Sequence, residues 1–250
     1  MREIALASQL KNKHIIDYIS ENVKGKINFC KTIVTTYLDN NFAYLLFACN
    51  EEVYAQCETL LADVIIDYIE TVYKVEYLKS KIKNPTGDSL TFNAYIKVLS
   101  VFDRSTDETA LRKIMVFNQT FFLDSFFEFR LKPLKMHWDN LAELSSDNIA
   151  MFNSGTFVDV IRFLINTMDN VVYKVKVIMN GEKCSVYNMK NKNAKIKKIA
   201  ECSSPLDLIS NVLNYCPNYI DVYLDTNRDD EAVNFLSNIF TSRLKIYTKV

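Results

Sequence analysis

Glycine and proline are scarce, at four each in 250 residues. That scarcity argues against a Gly-rich all-β architecture and favours helices, which both residues interrupt. Surplus charge is missing too, since 30 Lys and Arg balance 30 Asp and Glu. A protein that holds nucleic acid on a broad basic surface carries more Lys and Arg, so only a local basic patch stays open. No apolar run approaches the roughly 20 residues that span a bilayer. The richest short runs, at 44–49 and 121–123, are of a size that fills a core. The opening MREIALASQLKNK has no signal-peptide apolar region, so the expected location is the cytoplasm.

Motifs of known chemistry are also missing. The six cysteines include no Cys-x-x-Cys pair and are expected to be reduced, buried, small apolar residues. His14 and His137 have no His, Cys or carboxylate at ligand spacing, so no metal is expected. There is no phosphate-cradling Gly-rich loop and no Gly-x-Ser-x-Gly elbow, so neither a cofactor nor a catalytic residue is assigned. The acidic groups Glu51-Glu52 and Asp229-Asp230-Glu231 fall at expected helix starts, where the helix dipole favours negative charge.

What is present is apolar material, 49% hydrophobic with 12% aromatic, enough for a substantial core. Residues 1–50 read as a mixed α/β segment, with Ile15, Ile16 and Ile19 at helical spacing and a strand over 42–49. From Val53 a stripe of Cys57, Leu61, Val64, Ile65 and Tyr68 recurs at intervals of three and four, which predicts an amphipathic helix. Phe92, Tyr95, Ile96 and Leu99 predict a second. The Phe-rich stretch 117–129 reads as one helix buried around most of its circumference, ended or kinked at Pro133. Phe157, Val160, Ile161 and Leu164 predict another helix.

After residue 170 the period changes to two. Val175, Val177 and Met179 alternate with polar positions, and Asn180-Gly181 is a strong hairpin turn signal. A turn centred there pairs Met179 with Glu182, Val177 with Cys184, and Val175 with Val186. Ser204-Pro205 reads as the N-cap and first residue of a helix whose apolar face is Leu206, Ile209, Val212 and Leu213. A strand at Ile220, Val222 and Leu224, a helix at Val233, Leu236 and Ile239, and a strand at Leu244 and Ile246 follow. That order predicts a right-handed βαβ unit with parallel strands.

The expected fold class is therefore α+β: a helix-rich central layer with flanking β elements, a β-hairpin near 171–189 and a C-terminal βαβ unit. Composition shifts suggest segments 1–50, 51–170 and 171–250, or a single compact domain containing all three.

Two features are candidates for binding. Arg130 follows a nearly all-apolar stretch, where an unpaired buried charge is costly. It reads either as one half of a structural ion pair or as an anchor for an anion or a partner. Lys190, Lys192, Lys195, Lys197 and Lys198, with Lys174, Lys176 and Lys183 before them, face a single acid, Glu182. Tyr173 and Tyr187 lie among them and offer rings on which bases stack. The alternative is a solvated hairpin whose lysines guard an exposed edge.

FFEFRLK at 126–132, TFVDVIRFL at 156–164, PLDLI at 205–209 and the closing strand–helix–strand order resemble the YtxC-like sporulation proteins of endospore-forming bacteria. The chain departs from that pattern at Pro133 and Leu134, where the family continues with a polar residue and Tyr. The resemblance implies a role in sporulation and carries over no catalytic residue. The expected activity is non-enzymatic, through a protein partner, and self-association is compatible with it. The alternatives are nucleic-acid or anionic-surface binding through 174–198, or an enzyme whose site shows no motif.

Overall fold

The structure, a computed structural model, describes residues 1–27, 32–84, 87–117, 120–149, 154–168, 172–181, 183–225 and 230–248. In chain order the elements are β1 (Arg2–Gln9), α1 (Lys13–Lys24), β2 (Thr32–Leu38), β3 (Phe42–Cys49), α2 (Tyr54–Tyr68), α3 (Lys74–Lys81), α4 (Ser89–Phe102) and α5 (Arg104–Ile114). Then come β4 (Thr120–Phe122), α6 (Leu123–Ser125), α7 (Lys132–Ile149), α8 (Ser154–Thr167), β5 (Lys174–Asn180) and β6 (Lys183–Met189). The chain continues with β7 (Lys197–Cys202), α9 (Pro205–Tyr215), β8 (Tyr219–Leu224), α10 (Glu231–Phe240) and β9 (Leu244–Thr248). The fold is α+β. Its elements fall into two units, one of Met1–Lys81 with Arg104–Glu143, the other of Ile82–Asp103 with Leu144–Val250.

The first unit holds a mixed sheet in the order β2-β3-β1-β4. β3 is antiparallel to both β1 and β2, with α1 linking β1 to β2, which is a split βαβ arrangement. The sheet's buried face presents Ile4, Leu6, Leu45 and Phe47, and Ile16, Ile19, Leu61 and Ile65 of α1 and α2 complete the core. A π-helical turn at Ile69–Tyr73 joins α2 to α3, and a second at Phe126–Arg130 precedes α7.

The Phe-rich stretch is not one helix. Thr120–Phe122 is a strand parallel to β1, with Leu6 opposite Phe121, and its residues alternate exposed, buried, exposed. The π turn follows, closed by the Leu131 N–H donating to the Phe126 carbonyl at 3.1 Å. Pro133 therefore sits in the first turn of α7, where its missing N–H costs no helical hydrogen bond, and the helix runs on past it.

The second unit holds a five-stranded mixed sheet in the order β7-β6-β5-β8-β9. β8 and β9 are parallel and joined through α10, as the spacing predicts. α9 starts at the predicted residue, its N-cap Ser204 Oγ accepting from the Asp207 N–H at 3.1 Å. α4 packs against α8 and α9, with Tyr95 edge-on to Phe157 at 5.2 Å.

The hairpin forms, but in a register moved by two residues: Val177 faces Val186, Met179 faces Cys184 and Asn180 pairs with Lys183. Gly181, at φ 60°, takes the first turn position, so Asn180 ends the strand. A shift of two preserves the faces of a pleated strand, so apolar residues still meet across it. The expected Met179–Glu182 pair, like Cys30, Val171 and Asp229, involves a position outside the described residues. The Lys-rich stretch after β6 runs into a further strand, β7, antiparallel to β6. Among the described residues the N-terminal and C-terminal strands build separate sheets.

Candidate interaction surface

Strand β3 reads Phe-Ala-Tyr-Leu-Leu-Phe-Ala-Cys and is apolar on both faces. Ala43, Leu45, Phe47 and Cys49 are buried in the core, while Phe42, Tyr44, Leu46 and Ala48 point the other way and are half-buried. The pairing register sets Ile33, Thr35 and Tyr37 of β2 beside that second set. On the far side of β1, Ala7 lies opposite Phe122 of β4. The rings form a row across the sheet. Tyr37 stacks on Tyr44 at 4.5 Å, Phe42 lies 6.1 Å from Tyr44, and Phe42 meets Phe122 edge-on at 5.8 Å. Ile33, Tyr37 and Phe122 remain exposed.

At the β4 end the row reaches a recess of about 460 Å³, lined by Ile114, Val116, Thr120, Phe121, Phe122, Ser125, Phe126, Phe129 and Arg130. Val116 and Phe129 are 63% and 58% exposed, unusual for side chains of this kind. Arg130 is exposed, contrary to the buried setting its apolar neighbours suggested. The reason is that the segment buries one face only: Leu123, Phe126, Phe127, Leu131, Leu134 and Trp138 recur at spacings of three and four, while Glu128, Phe129 and Arg130 lie on the exposed side. Among the described residues Arg130 makes no ion pair. Lys132 lies 5.6 Å from the exposed Phe129 ring centre.

The opposite side of the same segment closes a polar recess of about 330 Å³. There Asp124 accepts from the Gln9 N–H at 2.7 Å and from Asn12 Nδ2 at 2.6 Å, which ties the end of β1 to α6. His14 Nε2 and Tyr68 Oη are 3.4 Å apart, and Tyr68 is pushed up to about 12, chiefly by burial. Among the residues that line this recess there is no Ser, Thr or Cys, and its hydroxyls are the phenols of Tyr68 and Tyr73. Tyr73 and Phe127, one from each π turn, stack at 4.9 Å beneath it.

Deeper in this unit lies a charged cluster. Lys74 Nζ donates to Asp107 Oδ2 at 2.7 Å, and Trp138 Nε1 donates to the same oxygen at 2.9 Å. Arg104 pairs with Glu70 at 2.8 Å. Burial lifts the Glu70 carboxyl to about 7, with Arg104 opposing the shift. The cluster anchors the Ile69–Tyr73 turn, α3, α5 and α7 to one another.

In the second unit Lys190, Lys192 and Lys195 lie exposed on the loop between β6 and β7, and Lys197 and Lys198 lie exposed on edge strand β7. Several neighbouring lysines have internal partners: Lys174 pairs with Asp221 at 2.8 Å and Lys176 lies 4.2 Å from the Tyr223 ring centre. Lys198 pairs with Glu201, and Lys192 lies 5.9 Å from the Tyr173 ring centre. Arg130 belongs to the first unit and these lysines to the second. The sequence reading missed the ring row of Tyr37, Tyr44, Phe42 and Phe122. The signal was there in β3, whose two apolar faces exceed what one helical layer covers.

Among the described residues no group of three or more His, Cys, Asp or Glu is placed to hold a metal, and no helix is long and apolar enough to cross a membrane. The YtxC-like family model matches residues 13–245, a span that takes in both units and the FFEFRLK segment. The chain belongs to the YtxC-like family. Searches of curated proteins and of solved structures returned no match.

Proposed function

We propose that this YtxC-like protein acts in spore development, in the cytoplasm, by holding a partner protein on the aromatic surface of its first unit. One observation carries the reading: exposed Phe122, Phe129 and Val116 surround an apolar recess with Arg130 at its rim. Aromatic and Arg side chains in such a setting are the residues that dominate binding energy at protein interfaces. The partner segment that fits presents an apolar anchor to the recess and a carboxylate to Arg130 and Lys132. No nucleophile–base pair is proposed, and the activity is non-enzymatic.

A second reading rests on the five exposed lysines of 190–198, which suit a nucleic acid or another anionic surface. One experiment separates the two. Tagged wild-type protein and the variants Phe129→Ala and Arg130→Glu are used for capture from sporulating cells, with and without nuclease, after matching their melting temperatures. A protein captured by wild type, resistant to nuclease and lost with both variants supports the aromatic surface. Capture that nuclease abolishes, or that both variants retain, defeats it and moves the weight to the lysines.

A further inference from the structure

Two cysteines in the second unit form a pair that the surface proposed above does not involve. The β6–β7 register sets Cys184 directly opposite Cys202, on one face of the sheet. Residues so placed have Cα atoms about 4.5–5.5 Å apart. Disulfides span about 4.4–6.8 Å between Cα atoms, so closure needs little movement of the backbone. Each thiol perturbs the other, which lowers Cys202 from the ordinary thiol range and raises Cys184. Asn211 Nδ2 donates to Cys202 Sγ at 3.5 Å, a second interaction that favours a thiolate there.

Both side chains line a recess of about 350 Å³ at the end of the sheet where β5 and β7 finish and α9 and α10 begin. Ser203 and Ser204 of the α9 start and Asp230 of the α10 start share its wall. Cys184 and Cys202 are 5% and 4% exposed. A contrast lies in the first unit, where Cys49 and Cys57 are 1% and 0% exposed in the core between β3 and α2. Cys57 is pushed up to about 11, chiefly by burial, which leaves it a poor nucleophile at neutral pH.

We propose that Cys184 and Cys202 are a reactive dithiol that closes to a cross-strand disulfide on reaction with a low-molecular-weight disulfide entering this recess. The Cys202 thiolate attacks one sulfur of that disulfide, forms a mixed disulfide and expels one thiolate, which takes up a proton. Cys184 then gives up its proton, attacks Cys202 Sγ and expels the second thiolate. The protein loses two electrons and two protons, and the small disulfide becomes two thiols. A dithiol reductant reverses the sequence by the same exchange chemistry.

The test uses the full chain, reduced and desalted, then titrated with 2-hydroxyethyl disulfide. Remaining thiols are blocked with iodoacetamide and the digest is read by mass spectrometry. The expected result is a Cys184–Cys202 linked peptide that appears before any change at Cys49, Cys57 or Cys216 and disappears with dithiothreitol. Cys184→Ser should stop at the mixed disulfide on Cys202, and Cys202→Ser should slow the reaction at Cys184 at least tenfold. The wild-type readout stands on its own if either variant folds poorly. Linked peptides that form only in denaturant, a link through Cys30 instead, or a mixed disulfide that accumulates in the wild type without closing would overturn the proposal.

Discussion

At the scale of single residues, the first unit is governed by charges that water does not reach. Lys74 and Asp107 have side chains with no exposed area, and Trp138 Nε1 donates to the same Asp107 oxygen that Lys74 holds. Removing one partner leaves the other charge buried, which costs about 3–5 kcal/mol. Lys74→Met should therefore destabilise by that order. Lys74→Met with Asp107→Asn should recover part of the loss, because Asn is neutral and still accepts from Trp138. Urea midpoints of both variants and of wild type decide it: a Lys74→Met midpoint equal to wild type would show that the ion pair is dispensable, and one equal to the double variant would show that the buried Asp107 charge is not the cause of the loss. Glu70 makes a second case. Its carboxyl sits at about 7 in the folded chain against an ordinary 4.5, mainly through burial. Below 4.5 both states hold the proton, and between 4.5 and 7 only the folded state does. Stability from this group is thus full in acid and is lost as pH rises through that window, by on the order of 3 kcal/mol. Glu70→Gln should flatten the slope of stability against pH between 5 and about 7.5 relative to wild type. Both histidines are present in each protein, so they cancel from the comparison, and parallel slopes would refute the assignment.

At the scale of elements, the pattern of legibility follows from how local each signal is. α9 was readable because Ser204, Pro205 and Asp207 encode its start within four positions. The βαβ closure was readable because alternation at 220–224 and a helical stripe at 233–240 leave one chirality. β4 was not readable, since its three residues are fixed by pairing with β1 more than a hundred positions earlier and are rich in Phe. A window so short has no period to detect. β7 was not read as a strand because Lys197 and Lys198, which suit an exposed edge, leave no apolar alternation to detect. Arg130 was misplaced because its burial was inferred from apolar neighbours, whereas Phe129 and Arg130 lie on the exposed side of the segment. The same logic exposes a weakness at the opposite edge of the first sheet. β2 reads Thr-Ile-Val-Thr-Thr-Tyr-Leu, with no charge and no proline, and most of it is exposed. Such an edge is a template for pairing with another chain. Thr36→Lys, on an exposed position, should raise the concentration at which the protein stays monodisperse by light scattering and leave its melting temperature within about 2 °C, since surface changes usually fall within about 0.5 kcal/mol. A scattering profile indistinguishable from wild type would mean that β2 does not drive association.

At the scale of the whole molecule, chain order and unit membership diverge, and that has a testable consequence. The second unit is assembled from 82–103 and 144–250, so the long insertion 104–143 belongs elsewhere. Its contribution from the early segment is not peripheral. α4 places Ala94, Tyr95, Ile96, Val98 and Leu99 at 4% exposure or less, and it packs against both α8 and α9. Asp88 caps it, accepting from Leu90 N and Thr91 N at 3.0 and 3.2 Å, so the helix carries its own start signal. A fragment of residues 144–250 retains the whole five-stranded sheet but lacks the helix that covers Phe157 through Tyr95. Five buried apolar side chains are worth several kcal/mol together at roughly 25 cal/mol per Å² of apolar surface, comparable with the ~5–15 kcal/mol that separates folded from unfolded domains. The fragment alone should therefore melt without a sharp transition. A synthetic peptide of residues 82–103 added in trans should restore a cooperative transition by circular dichroism whose midpoint rises with peptide concentration, because binding stabilises by mass action. A peptide with Tyr95→Ala and Leu99→Ala should be at least tenfold less effective. Cooperative melting of the fragment alone would show instead that α8, α9 and α10 cover the sheet without α4, and that the insertion order of this chain has no thermodynamic weight.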